Sequence, residues 1–120
     1  MALKLTNRDV DGVTVVELDG RIVLGEESSA LREKVKGLLA EGKKKLVLDL
    51  KNVSMIDSSG LGALVAAHTT ATTAGASLRL SSLSERSNQL LQITRLLTVF
   101  DVSKTEAEAV QSFSKSAGAA

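Results

Sequence analysis

Hydrophobic and polar residues alternate along the N-terminal part of the chain. Leucines alternate with polar side chains over residues 3–6, and residues 13–18 are rich in β-branched side chains. Such alternation is typical of strands with one buried face. Asp-Gly pairs, which favour tight turns, stand at positions 11–12 and 19–20. The pattern therefore predicts a hairpin of two strands, a second turn and a short third strand over residues 21–24.

The hydrophobic period changes to that of a helix after residue 25. Leu31, Val35 and Leu38 recur on one helical face, and Gly42 is well placed to end this helix in a left-handed conformation. The nearly continuous apolar run at 46–50 indicates a central strand that is covered on both faces. This order of strand, helix and strand predicts a right-handed crossover between parallel strands.

The rest of the chain continues to alternate between helices and strands. The expected fold is therefore α/β, with a mixed sheet of four to five strands and about four helices. Because we find no linker and no internal repeat, we expect one domain over residues 1–114, followed by a flexible tail at 115–120. After residue 50 we expect a turn, then a helix closed by Gly75 and a strand around Leu78. A helix capped by Ser82 and Glu85 and a strand over 99–102 should follow. The last predicted element is a helix that is capped by Ser103 and Glu106 and buries Val110 and Phe113.

Amino-acid composition and net charge argue against several classes of function. Hydrophobic residues make up 43% of the chain and aromatic residues only 2%, so we expect an aliphatic core. With 15 basic and 14 acidic side chains the formal net charge is +1, and no large basic field is available to bind nucleic acid. The chain has no Cys and no apolar run near the roughly 20 residues of a membrane span. We therefore expect a cytoplasmic protein that is monomeric when free, does not bind nucleic acid directly and does not insert into membranes.

Residues suited to catalysis are scarce. The sole histidine, His68, stands on the same predicted helix as Ser58, roughly 15 Å away and too far for direct proton transfer. The Gly-x-Gly at 60–62 lacks the third glycine of a dinucleotide motif, because Val65 stands there. A hydrolase elbow would need glycine in place of Ile56. We therefore predict no catalytic residues, no cofactor and no metal site, and a nucleotide-binding or enzymatic function has only the glycines and a few carboxylates in its favour.

Residues 57–62, with the sequence Asp-Ser-Ser-Gly-Leu-Gly, carry the most information about function. They stand where a buried strand has ended and a helix begins, so the Ser58 hydroxyl lies near free backbone N–H groups. Gly60 and Gly62 each cost a helix about 1 kcal/mol relative to Ala, which favours a bare surface that another protein approaches closely. A phosphate on Ser58 would add about −1.5 to −2 charges; the helix start favours this charge and Asp57 opposes it. On these residues alone, simple capping of the helix is an open alternative.

Over its whole length the chain resembles STAS domains, and residues 55–62 resemble the signature around the phosphoacceptor of anti-sigma-factor antagonists. Residues 19–22, Asp-Gly-Arg-Ile, resemble the turn that follows the family's second strand. The resemblance implies a partner switch, in which the unphosphorylated antagonist binds a serine-kinase anti-sigma factor and so releases a sigma factor. The kinase then phosphorylates the serine after the aspartate, here Ser58, and a PP2C-type phosphatase reverses the step. The partner-binding residues that the resemblance implies are Asp57, Ser59, Gly60, Leu61 and Gly62.

Two features of the chain leave alternatives within this family open. Many members carry an Asp shortly after the second-strand turn, where this chain has Val23, and the difference bears on the kinase that is used. Ser59 is a second hydroxyl beside Ser58. The alternative function is that of a scaffold or accessory subunit of a sensory complex or a lipid-transport ABC system, in which Ser58 is not phosphorylated.

Overall fold

Strands and helices alternate along the chain in the computed structural model, which describes residues 3–23 and 25–119 apart from the side chains of residues 26, 27, 97 and 114–119. A short 3₁₀-helix, Leu96–Thr98, precedes the last strand. The main elements are β1 Lys4–Val10, β2 Val13–Ile22, α1 Glu26–Ala40, β3 Lys45–Ile56, α2 Ser58–Thr73, β4 Ser77–Ser81, α3 Glu85–Ile93, β5 Asp101–Ser103 and α4 Glu106–Ala119.

The strands form one mixed sheet in the order β1-β2-β3-β4-β5, which confirms the predicted fold class. β1 and β2 are antiparallel and joined by a tight turn at Asp11 and Gly12, whose φ values are 51° and 80°. Asp-Gly suits this turn because both of its central residues need positive φ. The other neighbouring strands are parallel, and a helix connects each pair. The carboxyl ends of β2 to β5 therefore all lead to helix starts at one edge of the sheet.

Two strands are longer than the sequence pattern predicts. β2 continues through Gly20, so the predicted second turn and separate third strand are wrong. Gly20 has a φ of 126°, and the register with β3 shifts before Asp19 and after Gly20, so the Asp-Gly pair is absorbed as an irregularity within the strand. β3 likewise continues through residues 51–54, where the pattern predicts a turn, because Asn52 pairs with Asp19. Residue 24, the last position of the predicted third strand, lies outside the described residues.

Both predicted capping residues stand two positions too early. α3 is capped by Ser84 and not by Ser82, and α4 by Thr105 and not by Ser103; each true cap accepts the backbone N–H three residues later at 3.1 Å. Both predicted capping residues instead take part in the hydrogen bonding of the sheet. Ser103 pairs with Ser81, and the carbonyl oxygen of Ser103 accepts the Ser82 N–H at 3.1 Å. β5 itself begins two residues later than predicted.

Helices cover both faces of the sheet. The larger core lies under α1, α2 and α3, where Leu31, Leu64 and Leu91 are fully buried. α4 covers the opposite face and buries Val110 and Phe113, as predicted, against valines of β2 and β3. Because β3 is covered on both sides, its apolar run is nearly continuous.

The C-terminal helix reaches beyond the predicted domain end. The backbone of residues 115–119 continues α4, while Ala120 lies outside the described residues. The flexibility of the tail at 115–120 stays a prediction. Among the described residues, no helix is both long and apolar enough to cross a bilayer.

Candidate functional site at the start of helix α2

Asp57 caps α2 and ties its start to the sheet. β3 ends at Ile56, and α2 begins at Ser58 directly after the cap. Asp57 has an extended backbone, and its carboxylate Oδ1 accepts the Gly60 N–H at 2.7 Å. Its own N–H donates to the carbonyl oxygen of Ile22, at the end of β2, at 3.2 Å. The helix start is therefore held by two neighbouring strands at once.

Gly60 is buried where α2 passes over the end of β2. A Cβ atom at this position would lie 1.9 Å from the carbonyl oxygen of Ile22 and 2.7 Å from its carbonyl carbon. Both of those atoms belong to the backbone, so no change of side-chain rotamer relieves the overlap. Gly60 thus allows the helix to close on the sheet, and its bare surface faces the protein interior.

The Ser58 side chain is exposed at the first position of α2. The first turn of α2 contains no acidic residue, so the positive end of its dipole is not neutralised from within the helix. Ser59 is half-buried, whereas Gly62 is exposed and a Cβ placed there would meet no described atom within 4 Å. The Ser58 hydroxyl is therefore open to approach by another molecule.

A groove of about 500 Å³ separates the start of α1 from the start of α2. Arg32 of α1 is exposed and forms part of the wall of this groove. The polar residues on the α1 side recur at helical spacing in the sequence, and this spacing is the signal that predicts one wall of the groove. The groove is lined by Gly25, Ser28, Ser29, Arg32, Ser59, Gly62 and Ala63.

A second groove, of about 280 Å³, lies between the end of β3 and α3. Its walls include Met55 and Ile56 of β3 and Leu90 and Ile93 of α3. Met55 is 45% exposed and Ile93 80% exposed. Exposed apolar side chains that cluster in this way are typical of protein–protein contact sites. β3 carries this apolar surface to within a few residues of Ser58 along the chain.

His68 lies in the interior of α2 and is half-buried. Its ring packs edge-on against Phe100, with ring centroids 5.3 Å apart. His68 stands about 15 Å along the helix from Ser58, given a rise of about 1.5 Å per residue. The site is therefore an exposed hydroxyl at a helix start, and its histidine is too distant to act as a general base.

The family of the chain follows from comparison with known proteins. Residues 4–109 match the family model described as the STAS domain. The chain belongs to the STAS domain family. Over 81 residues this STAS domain is 41% identical to the anti-sigma-B factor antagonist of Bacillus subtilis (strain 168), and the match covers 68% of this chain and 73% of that protein. The resemblance inferred from residues 55–62 and from the order of elements is confirmed.

Solved structures with similar folds also include anti-sigma factor antagonists. The STAS domain matches a candidate antagonist from Thermotoga maritima with a TM-score of 0.82 at 25% identity, over 90% of this chain and 92% of that one. It matches the phosphorylated form of the Bacillus cell fate determinant SpoIIAA with a TM-score of 0.68 at 19% identity, over 92% of this chain and 98% of that one. The second likeness bears on the fold alone, which it supports over nearly the full length of both chains.

The predicted site residues of the STAS domain divide into a surface group and a buried pair. Gly60 packs on the carbonyl group of β2, and Leu61 is only 6% exposed in the main core. Other parts of the fold cover both residues in this conformation, so their part in partner binding stays a prediction. The residues that reach the surface are Asp57, Ser58, Ser59 and Gly62.

Proposed function

We propose that this STAS domain is an anti-sigma-factor antagonist whose binding to a serine-kinase anti-sigma factor ends when Ser58 is phosphorylated. The exposed hydroxyl of Ser58 at the capped start of α2 carries the proposal. While Ser58 is unmodified, the antagonist holds the anti-sigma factor and a sigma factor is free; a PP2C-type phosphatase restores this state. The 41% identity to the B. subtilis antagonist supports the role. The domain then acts in the cytoplasm as a monomeric binding protein and not as an enzyme.

A phosphate on Ser58 changes the charge of the surface more than the stability of the fold. It adds about −1.5 to −2 charges at pH 7. The N-terminus of α2 stabilises that charge, and the neighbouring Asp57 carboxylate repels it. A docked partner would have to desolvate the phosphate as well, which costs more than desolvating a neutral hydroxyl. Binding is therefore lost while the packing under the helix stays intact.

The proposed docking surface surrounds Ser58 and extends beyond the predicted motif. Asp57, Ser59 and Gly62 form its centre. The groove between α1 and α2 adds Arg32, which offers a positive charge to an acidic group of the partner. The apolar groove that contains Met55 supplies hydrophobic contact area. A charged groove and an apolar groove near one hydroxyl suit a partner that must both bind the domain and reach Ser58 with its active site.

Val23 lies in the connection between β2 and α1, beside the groove. Its carbonyl oxygen accepts the Ser28 hydroxyl at 2.7 Å, which holds the connection against the first turn of α1. Related antagonists often carry an Asp at this position. We therefore propose that the cognate kinase is matched to a neutral side chain here, and that this match distinguishes it from kinases that serve antagonists with the Asp.

Phosphate incorporation into serine variants tests the proposal. Wild-type bait captures partners from a lysate of the source cell, and mass spectrometry identifies the kinase. With that kinase and ATP, we expect the intact mass of wild type and of the matched control Ser59→Ala to rise by one phosphate. We expect no uptake by Ser58→Ala, which should keep its partner bound. Ser58→Asp should release the partner.

Two results would contradict the proposal. Stoichiometric phosphate uptake by Ser58→Ala would remove Ser58 as the acceptor, and loss of uptake in Ser59→Ala alone would move the acceptor to the neighbouring hydroxyl. If Ser58→Asp binds every captured partner as wild type does, and no variant takes up phosphate, the domain is a permanent subunit of an assembly instead of a switch.

A further inference from the structure

A row of polar side chains crosses the face of the sheet that α4 covers. Glu17 of β2 pairs in register with Asp49 of β3, and Asp49 pairs with Ser81 of β4. Parallel neighbours in register direct their side chains to the same face. Two positions earlier on β2 and β3, Val15 and Val47 belong to the core cluster under α4. The row therefore lies on the same face, beyond the edge of that core.

Glu106, the first residue of α4, joins this row from above. One carboxylate oxygen from each of Glu17, Asp49 and Glu106 can be chosen so that all three lie within 4.8 Å of one another. The three residues line a pocket of about 540 Å³ at the carboxyl end of the strands. Three carboxylates from β2, β3 and α4 thus converge at one water-accessible pocket.

The neighbouring cationic groups balance this charge only in part. Arg8 donates to Oε1 of Glu17 at 2.7 Å and to Oε2 of Glu106, so each of these carboxylates keeps a second oxygen. Asp49 is 6% exposed, and its Oδ1 accepts the backbone N–H of Lys51 at 2.9 Å. Within the described part of the chain, no Lys or Arg side chain lies within 4.0 Å of Asp49. A buried carboxylate therefore faces two others without a cation of its own.

Ser81 supplies a second and independent sign of a missing ligand. Its side chain is fully buried, and its Oγ has no hydrogen-bond partner among the described residues. Its register with Asp49 directs it to the face where the carboxylates meet. Buried hydroxyl groups are rarely left unpaired, because they lose water without a replacement. A bound ion would complete the coordination of this oxygen.

We propose that Glu17, Asp49 and Glu106, with the hydroxyl of Ser81, form a binding site for a hard divalent cation, with calcium as the best fit. The donors are all oxygen atoms, which Ca²⁺ and Mg²⁺ prefer. Calcium accepts about six to eight oxygen ligands in flexible geometry, whereas magnesium demands near-octahedral geometry, usually keeps several waters and takes only one or two carboxylates. Water in the pocket completes the coordination shell. This site is separate from the start of α2 and does not depend on the proposed switch.

The proposal departs from the prediction that the chain has no metal site. That prediction rested on the absence of Cys and of a second His, and the three carboxylates are far apart in the sequence. In this proposal Arg8 is an outer-shell group, because it donates one hydrogen bond to Glu17 and one to Glu106. Lys51 and Lys104 line the same pocket and compete with the ion for negative charge.

Calorimetric titration of the full chain tests the site. Protein treated with EDTA and dialysed is titrated with CaCl₂ and, separately, with MgCl₂. We expect one calcium per chain and weaker binding of magnesium. Asp49→Asn and Glu106→Gln should each weaken calcium binding by about 10- to 100-fold, at least as much as changes to outer-shell groups do. The matched control Glu33→Gln, which alters an exposed carboxylate of α1 outside the cluster, should bind calcium as wild type does.

Ser81→Ala tests whether Ser81 is a ligand of the ion or only a structural residue. It also keeps the proposal testable if the carboxylate variants fail to fold. The change removes an unpaired hydroxyl, so the metal-free domain should unfold at an unchanged or higher temperature. Its calcium affinity should nevertheless fall several-fold. Absence of saturable heat with CaCl₂, or unchanged calcium affinity in Ser81→Ala together with every folded carboxylate variant, would overturn the proposal. Magnesium binding as tight as that of calcium would overturn the choice of ion.

Discussion

The starts of α2 and α4 use the same backbone arrangement with opposite side-chain chemistry. Each helix begins at the carboxyl edge of the parallel strands, and each is capped by a side-chain oxygen that accepts the N–H of the third helical residue. The first turn of α2 contains no acidic residue, whereas α4 has Glu106 and Glu108 there. A helix start attracts negative charge in either case. At α4 two glutamates in the first turn supply that charge, whereas at α2 only the Asp57 cap does, and the first turn leaves an exposed hydroxyl on which a phosphate could add more.

The two helix starts also differ in what holds them in place. α2 is held by close packing, because Gly60 rests on the backbone of Ile22. α4 is held at its first residue by a charged contact, because Arg8 bridges Glu106 and Glu17. Packing responds to changes in volume and hardly to salt, while charges respond to salt and to substitution by neutral groups. The two sites should therefore fail under different perturbations.

Gly60→Ala should have the largest effect on stability. The added Cβ would stand 1.9 Å from the Ile22 carbonyl oxygen, so helix and strand must separate. Overpacking of this kind costs about 1–3 kcal/mol and sometimes more, and we expect the upper end because both partners are backbone. Urea unfolding followed by circular dichroism measures the change as a lower midpoint with an unchanged slope.

Gly62→Ala is the matched control for that substitution. It stands two residues further along the same helix, where an added Cβ meets no described atom within 4 Å. Replacing a helical glycine by alanine in open space should raise the unfolding free energy by about 0.5–1 kcal/mol. Equal stability of the two variants would show that α2 does not rest on the end of β2 in solution.

Removal of the caps should have the next largest effect. Asp57→Ala and Thr105→Ala each leave a helix N–H without its acceptor, and each should lower the unfolding free energy by about 1 kcal/mol. Only Asp57→Ala should also slow phosphate incorporation at Ser58, because only Asp57 caps the helix start that carries that hydroxyl. Parallel urea unfolding and kinase assays measure both quantities. A kinase rate that falls equally in Thr105→Ala would mean that general loosening, and not the cap of α2, controls access to Ser58.

Local patterns in the sequence predicted most of the fold. Gly42 and Gly75 end α1 and α2 as predicted, with φ values of 87° and 77°, because few other residues adopt this conformation without strain. The errors came from residues with more than one role. The Asp-Gly pair that ends at Gly20 predicts a turn, yet pairing with β3 keeps Gly20 in a strand. The sequence predicts Ser82 and Ser103 as helix caps, yet both residues take part in the hydrogen bonding between β4 and β5.

The candidate site shows the same division between local and distant information. The motif at 57–62 predicts Ser58 as the phosphoacceptor, because the signature is continuous in the chain. It did not show that Gly60 faces inward, since its neighbour Ile22 is 38 residues away in sequence. The motif also does not predict that Arg32 lines the neighbouring groove. Nor does any local pattern predict that Glu17, Asp49 and Glu106 meet across the sheet. Such groupings depend on strand register and helix packing, which a single sequence does not contain.

The smallest effects should come from changing one charge at each helix start. Ser58→Asp adds a carboxylate to α2, where a favourable dipole term of about 0.3–1 kcal/mol is opposed by repulsion from Asp57. We therefore expect its unfolding free energy to stay within about 1 kcal/mol of wild type. Glu106→Gln loses both a dipole term and a partly exposed ion pair with Arg8, and should be destabilised by roughly 0.5–1 kcal/mol.

Salt separates these charge effects from packing. In about 1 M NaCl the screening length falls to about 3 Å. The differences in unfolding free energy between wild type and Ser58→Asp and between wild type and Glu106→Gln should then shrink. The difference between wild type and Gly60→Ala should not change. Unfolding curves at low and high salt measure this contrast. If Ser58→Asp unfolds the domain, its loss of partner binding would reflect a lost fold, and a switch acting through surface charge would be excluded. If it stays folded and still releases the kinase, the charge at this helix start is sufficient to end binding.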